Sequence, residues 1–335
     1  MKIIMAYGPK DLRLAEAPVP LPGEGQVLIA VRASGICGSD KGYWRRGPSD
    51  HVAGHEAAGE VVGLGPGVRR LKIGDRVAVN NVVGCGRCKA CRAGRFVHCP
   101  RRPGKDVGNG YGELLVAPAC NCLLIDGHIG DVAGCLIFDN WGTPFVALNR
   151  AGVQCGDDVV ISGCGPIGLA AVALAKQRGA FVIAVDPLPY RLEAATRLGA
   201  DAVLTPGEHI SQAVHDLTEG LGARVVVECS GQRAAYPAML SSLRNDGSLI
   251  AVGEGAQLEL NVSEQLIRNH LSILSSWYSD MDDGRAVQDL MLRGQIDPLA
   301  FVTHQVSLAE MPEAMARFCR CEDGVLKTVI VMPKR

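Results

Sequence analysis

The sequence predicts a two-domain α/β protein, with a β-rich, barrel-like domain first and a parallel sheet carrying helices on both faces second. Three observations carry that expectation: the length of 335 residues, Gly- and Pro-punctuated alternating segments before residue 140, and a strand–helix alternation beyond residue 158. In the first part, QVLIAVRASG and DRVAVN have the two-residue period of half-buried strands. In the second, a strand at 158–162 (DVVIS) runs into GCGPIG and a helix over 166–178, and the next strand, FVIAV at 181–185, ends at Asp186. Helices over 189–198 and 208–219 alternate with strands at 201–205 and 224–229, followed by a strand at 247–252, a helix near 263–269 and a strand near 271–275. Beyond residue 277 come helical stretches at 285–293 and 308–318 and a last strand, KTVIVM. The expected boundaries are 1–140, 141–276 and a C-terminal return over 277–335.

Charge and composition exclude several classes. The 34 basic and 35 acidic side chains give a net charge of −1, so there is no general pull toward nucleic acid or an anionic membrane. Hydrophobic residues at 47% and charged ones at 21% describe a globular chain, not a disordered one. The uncharged stretch Val159–Ala175 approaches spanning length, but Gly, Pro and Ser interrupt it, and it reads as strand–turn–helix. The start, MKIIMAYGPKDLRL, meets charge too early for an export signal, so the expected location is cytoplasmic.

The spacing of the cysteines is more telling than their number, 13. Cys85, Cys88, Cys91 and Cys99 fall in GCGRCKACRAGRFVHC. Four thiolates on a Gly-rich loop can close a tetrahedron around Zn²⁺ and leave no open position, which makes the expected zinc structural; chance clustering or two disulfides are the other readings. The remaining cysteines read as small buried hydrophobes, with Cys37 the exception.

Gly163-x-Gly165-x-x-Gly168 follows a strand and opens a helix, and Asp186 ends the next strand 18 positions beyond Gly168. A dinucleotide site needs this context, with close backbone approach at the glycines and pyrophosphate at a helix N-terminus. Gly163, Gly165, Pro166, Ile167 and Gly168 are therefore expected to bind the cofactor. Asp186 would accept hydrogen bonds from the adenosine ribose and repel a 2′-phosphate, favouring NAD; it also reads as a cap before Pro187. Arg191, five positions on, either argues for a 2′-phosphate or flanks the adenine.

Cys37 in GICGSD and His55 in AGHEAAGEVVGLGPGV would each, alone, be packing residues. Their surroundings are more specific. The stretch Gly54-His55-Glu56-x-Ala58-Gly59-x5-Gly65-x2-Val68, then Gly74-Asp75-Arg76-Val77, resembles the zinc signature of the medium-chain dehydrogenases/reductases. The Cys37-Gly38-Ser39-Asp40 segment, the four-cysteine lobe and the nucleotide fingerprint come in the same order as in that family, and the resemblance covers essentially the whole chain.

That resemblance implies a GroES-like catalytic domain with a structural-zinc lobe (85–99), a Rossmann NAD-binding domain, and a homodimer or homotetramer paired near 271–276. Cys37 and His55 match catalytic zinc ligands, and Glu56 the neighbouring carboxylate that binds or exchanges at the metal. Asp139, in IFDNWG, takes the third ligand position, although the usual following proline is absent and a helix-capping Asp is the other reading. Ser39 matches the hydroxyl that starts a proton relay. Two zinc ions per chain and NAD are the implied cofactors.

Two departures stand out. Gly42 occupies the position of the relay histidine, leaving water, a ribose hydroxyl or His51 to carry the proton on; and only 18 positions separate Cys37 from His55, a shorter loop than in polyol-dehydrogenase relatives. Lys41, Arg45 and Arg46 in that loop suit an anionic or polyhydroxylated substrate, or form a solvated basic face. Tyr43 and Trp44, with Trp141 and Trp277, are candidate pocket walls. The expected activity is oxidation of a secondary alcohol of a polyol, sugar or sugar acid, nearest the sorbitol/threonine branch. A biosynthetic NADPH reductase and a non-catalytic cofactor-binding protein are the alternatives.

Overall fold

The computed structural model describes residues 1–48, 54–255, 257–322 and 324–333; His51 lies outside them. It divides into two compact units, Met1–Gly142 with Tyr278–Arg335, and Thr143–Trp277.

The first unit is organised on the strand Gln26–Gly35, buried over nearly its whole length. Among the described residues its sheet runs Val302–Val306, Lys327–Val331, Gln26–Gly35, Glu56–Leu64, Arg76–Val79, Cys122–Leu124, with Leu114–Pro118 also paired to Gln26–Gly35. The partners of the central strand are all antiparallel to it. Register places the site: Gly35 stands opposite Glu56 on one side and Val329 on the other. The chain leaving the strand at Ile36 and Cys37 therefore emerges between the first residues of two other strands. Val27, Ile29, Ile36, Val61, Leu115 and Ile330 fill the core beneath it.

The second unit is the expected parallel sheet, in the order Ala202–Leu204, Phe181–Val185, Asp158–Ser162, Ala223–Glu228, Leu243–Ala251, Ser272–Ser275 among the described residues. Val159, Val160 and Ile161 are fully buried, as a strand covered on both faces requires. From Asp158–Ser162 the chain winds outward to one side and then resumes on the other, so the strand order reverses at its C-terminal end, the usual place for a ligand in such sheets.

Most elements fall within a few residues of expectation. The stretch expected as a helix near 263–269 is a π-helical turn, Val262–Ile267. Helix Ala235–Ser241 has no counterpart in the sequence expectations; Pro237 reads as a breaker, yet in a first turn it gives up no intrahelical hydrogen bond. No helix among the described residues is long and apolar enough to cross a membrane.

Candidate metal centres and nucleotide loop

Cys37, His55, Glu56 and Asp139 converge, with one ligand atom from each lying within 4.8 Å of all the others. Cys37 follows the central strand, while His55 and Glu56 open the adjacent one. Asp139 sits in the π-helical turn Ile137–Trp141, where Trp141 N–H donates to Leu136 O at 3.0 Å. Such a turn inserts a residue into a helix and re-aims its side chains, a device common at functional sites. Asp139 Oδ2 lies 3.0 Å from His55 Nε2. Two N/O ligands on a tetrahedral zinc, each about 2.0–2.2 Å from it, would be roughly 3.4 Å apart.

The other ring nitrogen, His55 Nδ1, faces Asp40 Oδ1 at 3.5 Å. Asp40 Oδ2 accepts the Cys37 N–H at 2.9 Å and the hydroxyl of Tyr111, which is fully buried. One carboxylate thus orients both Cys37 and His55. Tyr278, in the left-handed region at φ 57°, donates its hydroxyl to His55 O at 3.2 Å and accepts the Asn81 N–H at 3.1 Å.

The electrostatics are those of crowded buried charges. Burial, then the charge of Asp139, pushes the Cys37 thiol up to about 11. Burial also raises Glu56, to about 7, against the pull of Lys327. Burial disfavours the charged form of His55 too, but Asp40 and Asp139 outweigh it and hold the imidazole well above its ordinary value. Asp139 is lowered despite its burial, chiefly by His55.

The donor set suits a zinc ion: one sulfur, one imidazole and two carboxylates. Glu56 supplies a sharper sign. Its Oε1 takes the Lys327 ammonium at 2.6 Å, whereas Oε2 is buried without a hydrogen-bond partner. A buried carboxylate oxygen left this way is costly unless a cation is within reach.

The second cluster is the four-cysteine lobe. Its sulfurs lie 3.4 Å apart for Cys88–Cys91, 3.9 Å for Cys88–Cys99 and 4.0 Å for Cys85–Cys91. A tetrahedral site with Zn–S bonds of about 2.3 Å sets its sulfurs roughly 3.8 Å apart, whereas a disulfide needs about 2.05 Å. The disulfide reading does not fit. Hydrogen bonds from the Arg87 and Cys88 N–H groups lower Cys85 to about 6, in the manner of a thiolate nest.

In the second unit, Gly163, Gly165 and Gly168 form the turn from strand Asp158–Ser162 into helix Pro166–Gln177, with Gly165 as N-cap. Gly163 is left-handed at φ 89°, and a Cβ on Gly168 would collide with Gly163 O. A Cβ on Gly165 would meet no heavy atom within 4 Å. Asp186 accepts the Cys164 N–H at 2.8 Å and the Leu188 N–H at 2.9 Å, while Arg191 Nη1 lies 3.5 Å from it. Asp186 is thus an anchor of the glycine turn and of the chain entering helix Pro189–Arg197, whose N-cap is Leu188 rather than Asp186.

Known proteins are similar to this chain over its whole length. Residues 23–127 match the family model of the alcohol dehydrogenase GroES-like domain, and residues 166–293 that of the zinc-binding dehydrogenases. The chain is 32% identical to sorbitol dehydrogenase of Bacillus subtilis, over 100% of this chain and 98% of that protein. It is also 32% identical to L-galactonate-5-dehydrogenase of Escherichia coli, over 98% of each. This chain belongs to the zinc-type medium-chain alcohol dehydrogenases. Among solved structures, a short chain alcohol dehydrogenase from Escherichia coli CFT073 complexed with NADH superposes with a TM-score of 0.89, at 25% identity and over 99% of both chains.

Within this alcohol dehydrogenase the other expected residues fall unevenly. Ser39 is exposed as the N-cap of helix Asp40–Arg46, and its side chain makes no capping hydrogen bond. Lys41 stands over the Phe318 ring at 5.1 Å, while Arg45 and Arg46 are exposed. Trp44 joins the hydrophobic core, and Trp141 is no pocket wall either: it is fully buried, its ring centroid 5.2 Å from that of Phe301. Trp277 is 41% exposed. Lys327 was not anticipated. Its one sequence signal is a lysine opening an otherwise apolar terminal strand, which also fits an edge-strand charge.

Proposed function

We propose that this dehydrogenase oxidises a secondary alcohol of a polyol, sugar or sugar acid to the ketone with NAD⁺, releasing NADH and a proton, and that each cluster holds one zinc. The observation that carries the reading is the convergence of Cys37, His55, Glu56 and Asp139 beside the orphaned Glu56 oxygen. When bound, zinc supplies Lewis acidity to the substrate hydroxyl, and the nicotinamide accepts the hydride.

The chain's own residues do the rest. Cys37, His55 and Asp139 would hold the metal with Glu56 beside it, and Asp40 fixes the tautomer and orientation of His55 from behind. Ser39, exposed two residues beyond Cys37, is placed to accept the hydroxyl proton; Gly42, where relatives carry a histidine, passes nothing on. The open space at Gly165 and the N-terminus of helix Pro166–Gln177 suit a pyrophosphate, and the Asp186 carboxylate at the end of its strand disfavours a 2′-phosphate. The four-cysteine lobe keeps a closed structural site. Strand Ser272–Ser275 pairs on one side only among the described residues and is the edge through which a dimer would form.

The names of the relatives support the substrate class: sorbitol is a polyol and L-galactonate a sugar acid. The test is a metal assay with a dehydrogenation screen on one purified sample, pairing polyols, sugar acids, sugar phosphates and simple secondary alcohols with NAD⁺ or NADP⁺. One zinc per cluster and NAD⁺-dependent turnover of a polyol or sugar acid are expected. A single chelation-resistant zinc without turnover would overturn the reading, and turnover with NADP⁺ alone would overturn its cofactor half.

A further inference from the structure

Lys327 is a fully buried charge of the first unit, with no measurable exposure. Lysine is almost never buried in this way without a partner and a reason. Its ammonium donates to Glu56 Oε1 at 2.6 Å and to Ile36 O at 2.9 Å. Its neighbour's carbonyl, Thr328 O, accepts the Ile36 N–H at 2.9 Å. The terminal strand therefore grips both faces of the peptide segment that delivers Cys37, and with the same side chain grips Glu56. Gly35 has a matching role: a Cβ there would collide with Glu56 Oε2 and come within 3.1 Å of Lys327 Cε. Space has been kept for this pair beside the metal cluster.

We propose that Lys327 is a positioning residue that holds Glu56 back from the metal, so that Cys37, His55 and Asp139 are the resting ligands and a fourth position stays open for substrate. This rests on the reading that the cluster binds zinc. The argument is one of charge and reach. A Cys37 thiolate, Glu56 and Asp139 bring three negative charges to a dication, leaving one in excess, and the Lys327 ammonium balances it. Glu56 is bound to that ammonium through Oε1 alone, and Oε2 remains unpartnered and buried. Without the ammonium, the nearest cation for Glu56 is the metal, and in a medium of low dielectric the carboxylate moves to it. Four protein ligands would then close the site as a structural zinc site is closed.

The test uses the full-length protein with cobalt replacing the metal at this cluster, read by its visible spectrum with and without added imidazole. Wild type should respond to imidazole, as an open position requires. Lys327→Met should give a spectrum that imidazole does not shift, hold the metal about ten-fold longer or more against EDTA, and lose kcat more than it raises KM. Lys327→Arg should behave as wild type. Lys327→Met combined with Glu56→Gln should recover the imidazole response, because no carboxylate is left to close the site. If Lys327→Met responds to imidazole as wild type does, the lysine is a structural ion-pair partner and the proposal falls. Should that variant fail to fold, Glu56→Gln alone decides: an unchanged resting cobalt spectrum supports the proposal, and a changed one overturns it by making Glu56 a resting ligand. A wild-type protein that takes up metal only at the four cysteines would instead overturn the underlying zinc reading, whatever Lys327 does.

Discussion

Gly165 and Gly168 stand three residues apart in one turn, and the structure assigns them opposite costs. Gly165 has φ −69° and ψ −175°, a conformation open to any residue, and an added Cβ meets no heavy atom within 4 Å. Gly165→Ala should therefore leave the apo fold unchanged or raise its stability by about 0.4–1 kcal/mol, through a less flexible unfolded chain. What it should cost is nucleotide binding, because the methyl occupies the space where the pyrophosphate approaches the backbone. Losing one hydrogen bond to a charged phosphate costs about 1.5–3 kcal/mol, which raises the Kd for NAD⁺ by about 10- to 150-fold. Gly168→Ala reverses the pattern. Its Cβ collides with Gly163 O, a backbone atom that cannot swing aside, and overpacking of this kind costs about 1–3 kcal/mol of fold stability. Urea melts of the apo proteins, paired with calorimetric titration of NAD⁺, separate the two quantities. If Gly165→Ala binds NAD⁺ as tightly as wild type, the assignment of the open space to the cofactor is refuted. If Gly165→Ala is as unstable as Gly168→Ala, the steric reasoning itself is refuted.

Further outcomes rest on the same kind of local geometry. Cys91→Ser removes a buried sulfur of the four-cysteine cluster; the zinc content should fall by one per chain and limited proteolysis should cut within 85–105, while the metal at Cys37 stays bound. Tyr111→Phe removes the hydroxyl that supports Asp40 and leaves a buried carboxylate short of a donor, at a cost of about 1–3 kcal/mol in a urea melt, with weaker metal retention at His55. Asp201 accepts Lys176 Nζ at 2.7 Å and the Val182 N–H at 2.7 Å, and together these outweigh its desolvation and lower its carboxyl below 3.8. A depressed acid contributes stability above its unfolded value and loses it as the pH falls through the folded one. The stability gap between wild type and Asp201→Asn should therefore be widest near neutral pH and should close below about pH 3.8. A gap that stays constant across that range would rule out an ionic contribution.

What the sequence made legible is whatever short spacing encodes. Cys85 to Cys99 and Gly163 to Gly168 each lie within one loop, so the chemistry and the geometry share a window that a reader can scan. The cluster around Cys37 is different. His55 and Asp139 are 84 positions apart, Tyr111 and Asp40 are 71, and Lys327 and Glu56 are 271. Periodicity carries no information about such pairs, and only the family resemblance, which orders ligands along the chain, brought Asp139 to His55. It had nothing to say about Lys327, because an ammonium that balances charge binds no metal and belongs to no motif. Trp141 shows the converse error: an aromatic side chain two residues from a candidate ligand invites a place in the substrate pocket. The π-helical turn that aims Asp139 at His55 instead leaves Trp141 packed against Phe301 in the core. A ligand and its neighbour part company there because one extra residue in a turn rotates the side chains beyond it, and no hydrophobic pattern records that rotation. The site is accordingly built in two layers, a cluster of Cys37, His55, Glu56 and Asp139 able to hold a metal and a buried scaffold of Asp40, Tyr111 and Lys327 that positions it.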